Sequence, residues 1–480
     1  MVRSRLSAVS LLVLLAACKG PTEKLQQQVS SGGHVQLPDG LVELKRPIVI
    51  TPGVKNLDLS GGPGTVLRPA PEFQGAALIL CRSCRNVKLR DFGIEGIAGG
   101  AQLPVEAAPA DVANLRHFNS NGIVIDDGEN IQISGIAFRD VGSFAIIGSI
   151  ARKVKIENVS VTGGGSQNAK SKQNTSGGIV FEEGSNGVEV RNSRFEKISG
   201  NALWTAARPA ALRNGNILFE NNDFANIGHT AIHIGSANRV RILNNRIKLA
   251  GYPVELIDSA SGSAPAAIGT SGKVDEGLIA NNQIEEVNGY CFYLNGFHDG
   301  AVRGNRCINR GKPEDYPNGG YGIWFGNLFP EMRSQLNTIQ SNVVDGVRLG
   351  GIFMIGGGHK IIGNKFLNLN RARCPDNKKE FGCNLMPDEP GVVRAGIFIG
   401  DKAERPDPGT DNLVESNEIT GYRMKTNCII LADKVDLTAN TVRTNTCADA
   451  VWVAPLPQSI SSKGGTDEYQ VFRPSELNPR

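Results

Sequence analysis

Short apolar segments of the form small–apolar–x–apolar recur along the chain. They read Ala77-Leu78-Ile79-Leu80, Gly122-Ile123-Val124-Ile125, Gly178-Ile179-Val180-Phe181, Ala231-Ile232-His233-Ile234, Gly322-Ile323-Trp324-Phe325, Gly351-Ile352-Phe353-Met354, Gly396-Ile397-Phe398-Ile399 and Ala450-Val451-Trp452-Val453. Each alternates with the period of a β-strand. About 10–20 residues later an apolar–x–x–Asn–x–apolar segment follows. Its asparagines are Asn222, Asn245, Asn282, Asn305, Asn342, Asn364, Asn417 and Asn440, several of them 22 or 23 residues apart. Asn tolerates left-handed backbone at a sharp bend, and its amide can bond an Asn stacked above it. A repeat of this length predicts a solenoid in which each coil contacts only its neighbours. It speaks against a β-propeller, whose blades need roughly 40–45 residues.

On these two motifs the sequence resembles the right-handed parallel β-helix of the pectate-lyase-like superfamily. The resemblance implies an all-β fold, a single right-handed parallel β-helix of about 12–13 coils. Residues 25–50 fit its short N-terminal capping helix and first strand, which cover an otherwise exposed apolar end. The expected organisation is a signal peptide over 1–17, a lipidated N-terminus and linker over 18–24, the β-helix over 25–455 and a C-terminal tail over 456–480.

The N-terminus carries Arg3 and Arg5 and then an apolar run, Leu6 to Ala17, too short to span a bilayer. The run ends in Leu15-Ala16-Ala17-Cys18, which resembles a bacterial lipobox. Cys18 would then carry lipid and anchor the protein without spanning the membrane. Lys19 follows it, which favours the outer membrane over the inner one. Lys and Arg total 51 against 47 Asp and Glu, with no block of basic residues. Nucleic acid is therefore not an expected partner, and the chain reads as a monomer. Eight cysteines remain after Cys18. In an exported protein they point to disulfides among the near pairs Cys81 and Cys84, Cys291 and Cys307, Cys374 and Cys383, Cys428 and Cys447, although spacing leaves the connectivity open. No His lies at zinc-ligand spacing from Cys81 and Cys84.

The x residue of each first strand points outward. Read along the chain, x is Ile79, Val124, Ile147, Val180, Trp204, His233, Glu255, Tyr293, Trp324, Phe353, Phe398, Ile430 and Trp452. Aromatic rings around a polar centre suit a sugar chain, whose C–H faces stack on rings while its hydroxyls seek polar groups. The candidate catalytic residues are His233, with Glu255 in the next coil orienting it, Tyr293 and His229. Trp204, Trp324, Phe353, Phe398 and Asp258 are the candidate substrate-binding residues. Asp126, Asp127, Glu182 and Glu183 partly match a calcium-dependent lyase set. Insertions at 97–118, 163–175, 257–275 and 371–393 could instead fold over this face and make the aromatics a second core.

The Asn-Thr-Asp and Asp-Asp runs of polygalacturonase-like hydrolases are missing. Asn119-Ser120-Asn121 and Ser143-Phe144 stand in their places. The Asp-Pro-His run of mannuronan epimerases is missing too. The expected function is an envelope lipoprotein acting on a uronic-acid polymer as a lyase or epimerase. The alternatives are a glycoside hydrolase and a surface protein that only binds polysaccharide.

Overall fold

A computed structural model describes residues 20–96, 105–258, 264–376, 383 and 391–450. The expectations for residues 1–17, Cys18 and Trp452 lie outside these residues. The chain winds into a single right-handed parallel β-helix. The strands of its first and second faces join in one 27-stranded parallel sheet, and the third face is a separate 14-stranded parallel sheet. Inward residues of successive first strands, such as Ile123, Ile146, Ile179, Leu203, Ile232 and Ile268, stack into one continuous core. β-Branched and aliphatic side chains suit such stacks because they fill the pleat at strand spacing.

Helix α1 spans Pro21–Ser31, with Pro in the first turn and Glu23 near its positive end. It begins inside the stretch expected to be linker. Leu25 and Val29 are buried on the first coil. The Gln26 side chain accepts from the Val49 backbone N–H (2.8 Å) and donates to the Val49 carbonyl (2.9 Å). One amide thus satisfies the edge that a neighbouring strand would otherwise pair.

The asparagine ladder is continuous from Asn222 through Asn245, Asn282, Asn305, Asn342, Asn364 and Asn417, each amide bonding the next at 2.9–3.1 Å. Its eighth rung is Asn445, not Asn440. Asn440 belongs to a second ladder five residues earlier in each coil, through Asn337, His359 and Asn412. The left-handed residue of each bend is the one before the rung, for example Asn221, Asn244 and Asn281. The rung itself caps the bend by side-chain bonding. All four near cysteine pairs form disulfides.

His359 is buried and replaces an asparagine in the second ladder. Its Nδ1 accepts from the Asn337 N–H (3.2 Å), and its Nε2 donates to the Ile355 carbonyl (3.0 Å). That pairing requires the neutral ring, and burial lowers the pKa from 6.5 to about 4. A lowered folded-state value means the stability is complete above the unfolded pKa and is lost as pH falls through the folded one. Between pH 6.5 and 4 the wild type is expected to lose about 3 kcal/mol from this residue. His359→Asn should remove that part of the slope, as read from urea unfolding midpoints across the same range.

Candidate functional site

The outward column of the first face follows from the strand register. It runs Val49, Leu80, Val124, Ile147, Val180, Trp204, His233, Gly269, Tyr293, Trp324, Phe353, Phe398 and Ile430. Two positions differ from expectation. Leu80, not Ile79, is outward, and Ile79 is in the inner core. The coil after His233 presents Gly269, not Glu255. Pro253 opens a 3-10 turn over Val254–Leu256, and Glu255 is exposed there. The first-face strand of that coil is Ala266–Asp275, so the insertion expected over 257–275 ends earlier. Glu255 therefore does not orient His233.

His233 Nε2 instead lies 2.8 Å from Ser271 Oγ. The Trp204 ring meets the imidazole edge-on, with centroids 6.3 Å apart. No hydrogen bond engages Nδ1 among the described residues. A Cβ at Gly269 would sit 3.3 Å from it. The missing side chain leaves a notch onto which Nδ1 faces, with the backbone of Tyr293 on the far side (3.7 Å from the same point). Desolvation, followed by the charge of nearby His229, lowers the His233 pKa from 6.5 to about 3, so the ring is neutral at ordinary pH. His229 is buried in the preceding turn with its Nδ1 3.0 Å from both Asn201 Oδ1 and Thr230 Oγ1. Through Nδ1 it ties the turn together and does not bond His233. Burial raises the Tyr293 pKa, with the Asn295 side chain opposing and Glu404 adding to the rise. Tyr293 thus keeps its proton.

The remaining aromatics divide into two groups. Trp204, His233 and Tyr293 are half-buried. Trp324 is 7 % exposed and Phe353 and Phe398 at most 2 %, so these three are not free sugar platforms. Trp324 and Phe353 stack at 3.9 Å, with Tyr321 edge-on to both. Upstream, Leu80, Val124, Ile147 and Val180 form a second core with Phe118 and Phe144, against which Val105, Ala108 and Leu115 pack. Among the described residues the face is therefore covered at both ends, and Trp204, His233 and Tyr293 between them keep partial exposure.

The acidic candidates are dispersed. Asp258 accepts from Asn168 (2.8 Å) and joins two loops. Glu182 is buried and accepts from the backbone of Asn114 and Leu115, both at 2.9 Å. Burial raises its pKa while these donors oppose the rise. Glu183 is held by Arg208, Asp127 by Arg152, and Asp126 faces Arg116. Calcium coordination by these four is not favoured, because each carboxylate is already turned to its own partner. No cluster of three metal-ligating side chains occurs among the described residues. Sequence reading missed Gly269, Ser271 and Glu404. Gly269 was within reach, since Ala267-Ile268-Gly269-Thr270 keeps the small–apolar–x phase with Thr in the last place.

The chain belongs to the right-handed beta helix family, whose pattern matches residues 79–266 and 210–370, together more than half of the sequence. Among solved structures it is similar to pre-mature bacteriophage phi29 gene product 12, with TM-score 0.59 and 13% identity over 83% of this chain. It spans only 50% of that protein's length. The A-module of a mannuronan C-5 epimerase from Azotobacter vinelandii is similar with TM-score 0.53 and 10% identity, over 89% of this chain and 95% of that one. The Dettilon tailspike protein is similar with TM-score 0.51 and 12% identity, over 88% of this chain and 67% of that one. At such identities the likeness concerns the fold. No curated protein matches by sequence.

Proposed function

We propose that this protein acts on a uronic-acid polysaccharide as a lyase or epimerase, with His233 as base and Tyr293 as acid. The observation that carries the reading is the neutral His233 ring, fixed through Nε2 by Ser271, with Nδ1 turned to the notch above Gly269. Trp204 on one side gives a ring face for stacking, and a uronate-modifying epimerase shares the fold. In the proposed step the C5 proton passes to His233 Nδ1. In elimination the C4–O bond then breaks, a C4–C5 double bond forms, and Tyr293 gives its proton to the departing oxygen. In epimerisation Tyr293 returns a proton to C5 from the opposite face. A base with so low a pKa is weak in the empty site, and an anionic substrate beside it raises its basicity.

A second reading, binding without turnover, is favoured by one observation. The outward column carries no Lys or Arg among the described residues to neutralise a uronate carboxylate. Hydrolysis needs two carboxyls flanking one bond, whereas Glu255 lies exposed in a 3-10 turn, Asp258 is bonded to Asn168 and Glu182 to Asn114 and Leu115. The test is incubation with polymannuronate and polygalacturonate. Double-bond absorbance, or deuterium entering C5 from heavy water, supports catalysis. Binding with neither signal leaves the second reading, and absence of binding overturns both.

We place the protein in the cell envelope, anchored through Cys18. Cys18→Ser should shift it to the soluble fraction or leave residues 1–17 uncleaved. An unchanged membrane-bound mature form would overturn the anchor.

A further inference from the structure

Among the described residues, the partly exposed stretch of the first face from Trp204 to Tyr293 is bounded on three sides, which gives it the form of a crevice closed at its ends. Upstream, the segment 105–118 lies over the outward column and is latched by Glu182 through Asn114 and Leu115. Downstream, Trp324 and Phe353 are stacked and buried. On the side where each first strand begins, two loops are tied into a wall: Asn168 donates to Asp258 (2.8 Å), and the Gln173 N–H to the Leu256 carbonyl (2.8 Å).

The fourth side differs. The strands Ile232–Leu243 and Ala266–Asp275 run from the first face into the second with no loop between. Among the described residues the rim there is formed by Ser236, Ser271 and Gly272, so tight that a Cβ on Gly272 would meet Ser236 Oγ at 2.2 Å. One residue beyond it is Lys273, half of whose side chain is exposed and whose Nζ lies 3.7 Å from Asp275, and Arg213 lies alongside, bonded to the same Asp275 (2.8 Å) and to the Lys273 carbonyl (3.4 Å), so that two cations share one carboxylate. Along the entry direction the first-face part of the strand, Ala266 to Ser271, is five residue steps, ~17 Å, room for about three sugar units.

We infer that this crevice takes the end of a uronic-acid chain, entering over the Ser236–Ser271 rim with its carboxylates against Lys273 and Arg213, so that the protein works from chain ends. This rests on the function proposed above, and it supplies the cations that the outward column lacks. A polymer lying along the helix axis would meet the latched segment at one end and the Trp324–Phe353 stack at the other.

The experiment measures affinity per molecule for size-fractionated oligomannuronate and oligogalacturonate, from dimers to twenty-mers. End recognition gives an affinity that rises to about three or four units and is then flat. Lys273→Ala should weaken it about tenfold, the scale of one charge-assisted contact. Gly269→Leu, which fills the notch from an extended backbone, should weaken every length at least as much with the unfolding midpoint retained. Affinity that keeps growing with length, or a Lys273→Ala protein that binds as the wild type does, overturns the inference and leaves the proposed function standing. No binding at any length removes both.

Discussion

Asn282→Leu is expected to lower stability more than any other single change in the solenoid wall. The Asn282 amide is fully buried. Its Nδ2 donates to the Ile242 carbonyl (3.0 Å) and to Asn305 Oδ1 (2.9 Å), and its Oδ1 accepts from both the backbone and the side-chain nitrogen of Asn245 (2.9 Å each). Leucine matches the volume and removes every one of these partners. The Asn245 donors and the Ile242 carbonyl stay buried without water, and each stranded group costs about 1–3 kcal/mol. A loss on the order of 4 kcal/mol follows, even if the coils relax around part of the defect. Because each coil contacts only its neighbours, a break in mid-ladder should also split unfolding into two transitions. Asn440→Ala, at the half-buried end of the second ladder, should cost far less. Urea unfolding of both variants checks this. Equal midpoints would mean that the ladder follows the bends without holding them.

The ladder was legible because each rung needs one residue type at one place, so the pattern survives insertions between coils. The two ladders run five residues apart, and both "LTANTV" and "VRTNTC" fit the motif. That is why Asn440 was indistinguishable from Asn445 before the coils were stacked. The phase of the first strands was legible only where one face is polar. In Ala77-Leu78-Ile79-Leu80 every residue is apolar because the strand is covered on both faces, and alternation then carries no phase. Glu255 was misplaced for a related reason. Val254-Glu255-Leu256 alternates like a strand, yet it follows Pro253 and forms a turn. What covers a face is a long-range property. Nothing local to Trp324 or Phe353 distinguishes a sugar platform from a ring buried under Tyr321, whereas the partial exposure of Trp204, His233 and Tyr293 emerges only from where the inserted loops end.

His233→Ala is expected to reduce turnover by about 10²–10⁴-fold, the usual contribution of a positioned general base. The side chain is desolvated and neutral, so its removal leaves no unpaired charge, and Ser271 Oγ, its hydrogen-bond partner, is half-buried. The fold should therefore survive, and oligosaccharide affinity should change little, because Trp204 and the rim of the crevice remain. A fall in kcat with KM nearly unchanged marks a group that acts in the transition state. The pH profile gives an independent readout. An ordinary histidine base loses activity as pH falls through about 6.5, but this ring stays neutral down to about 3 in the empty protein. The acid limb of kcat/KM should therefore lie well below 6.5, with Tyr293, whose pKa burial raises, setting an alkaline limb above the usual tyrosine range. An inflection near 6.5 would place the base at another, solvated histidine. A loss of binding equal to the loss of turnover would make His233 a contact for the sugar and not the proton acceptor.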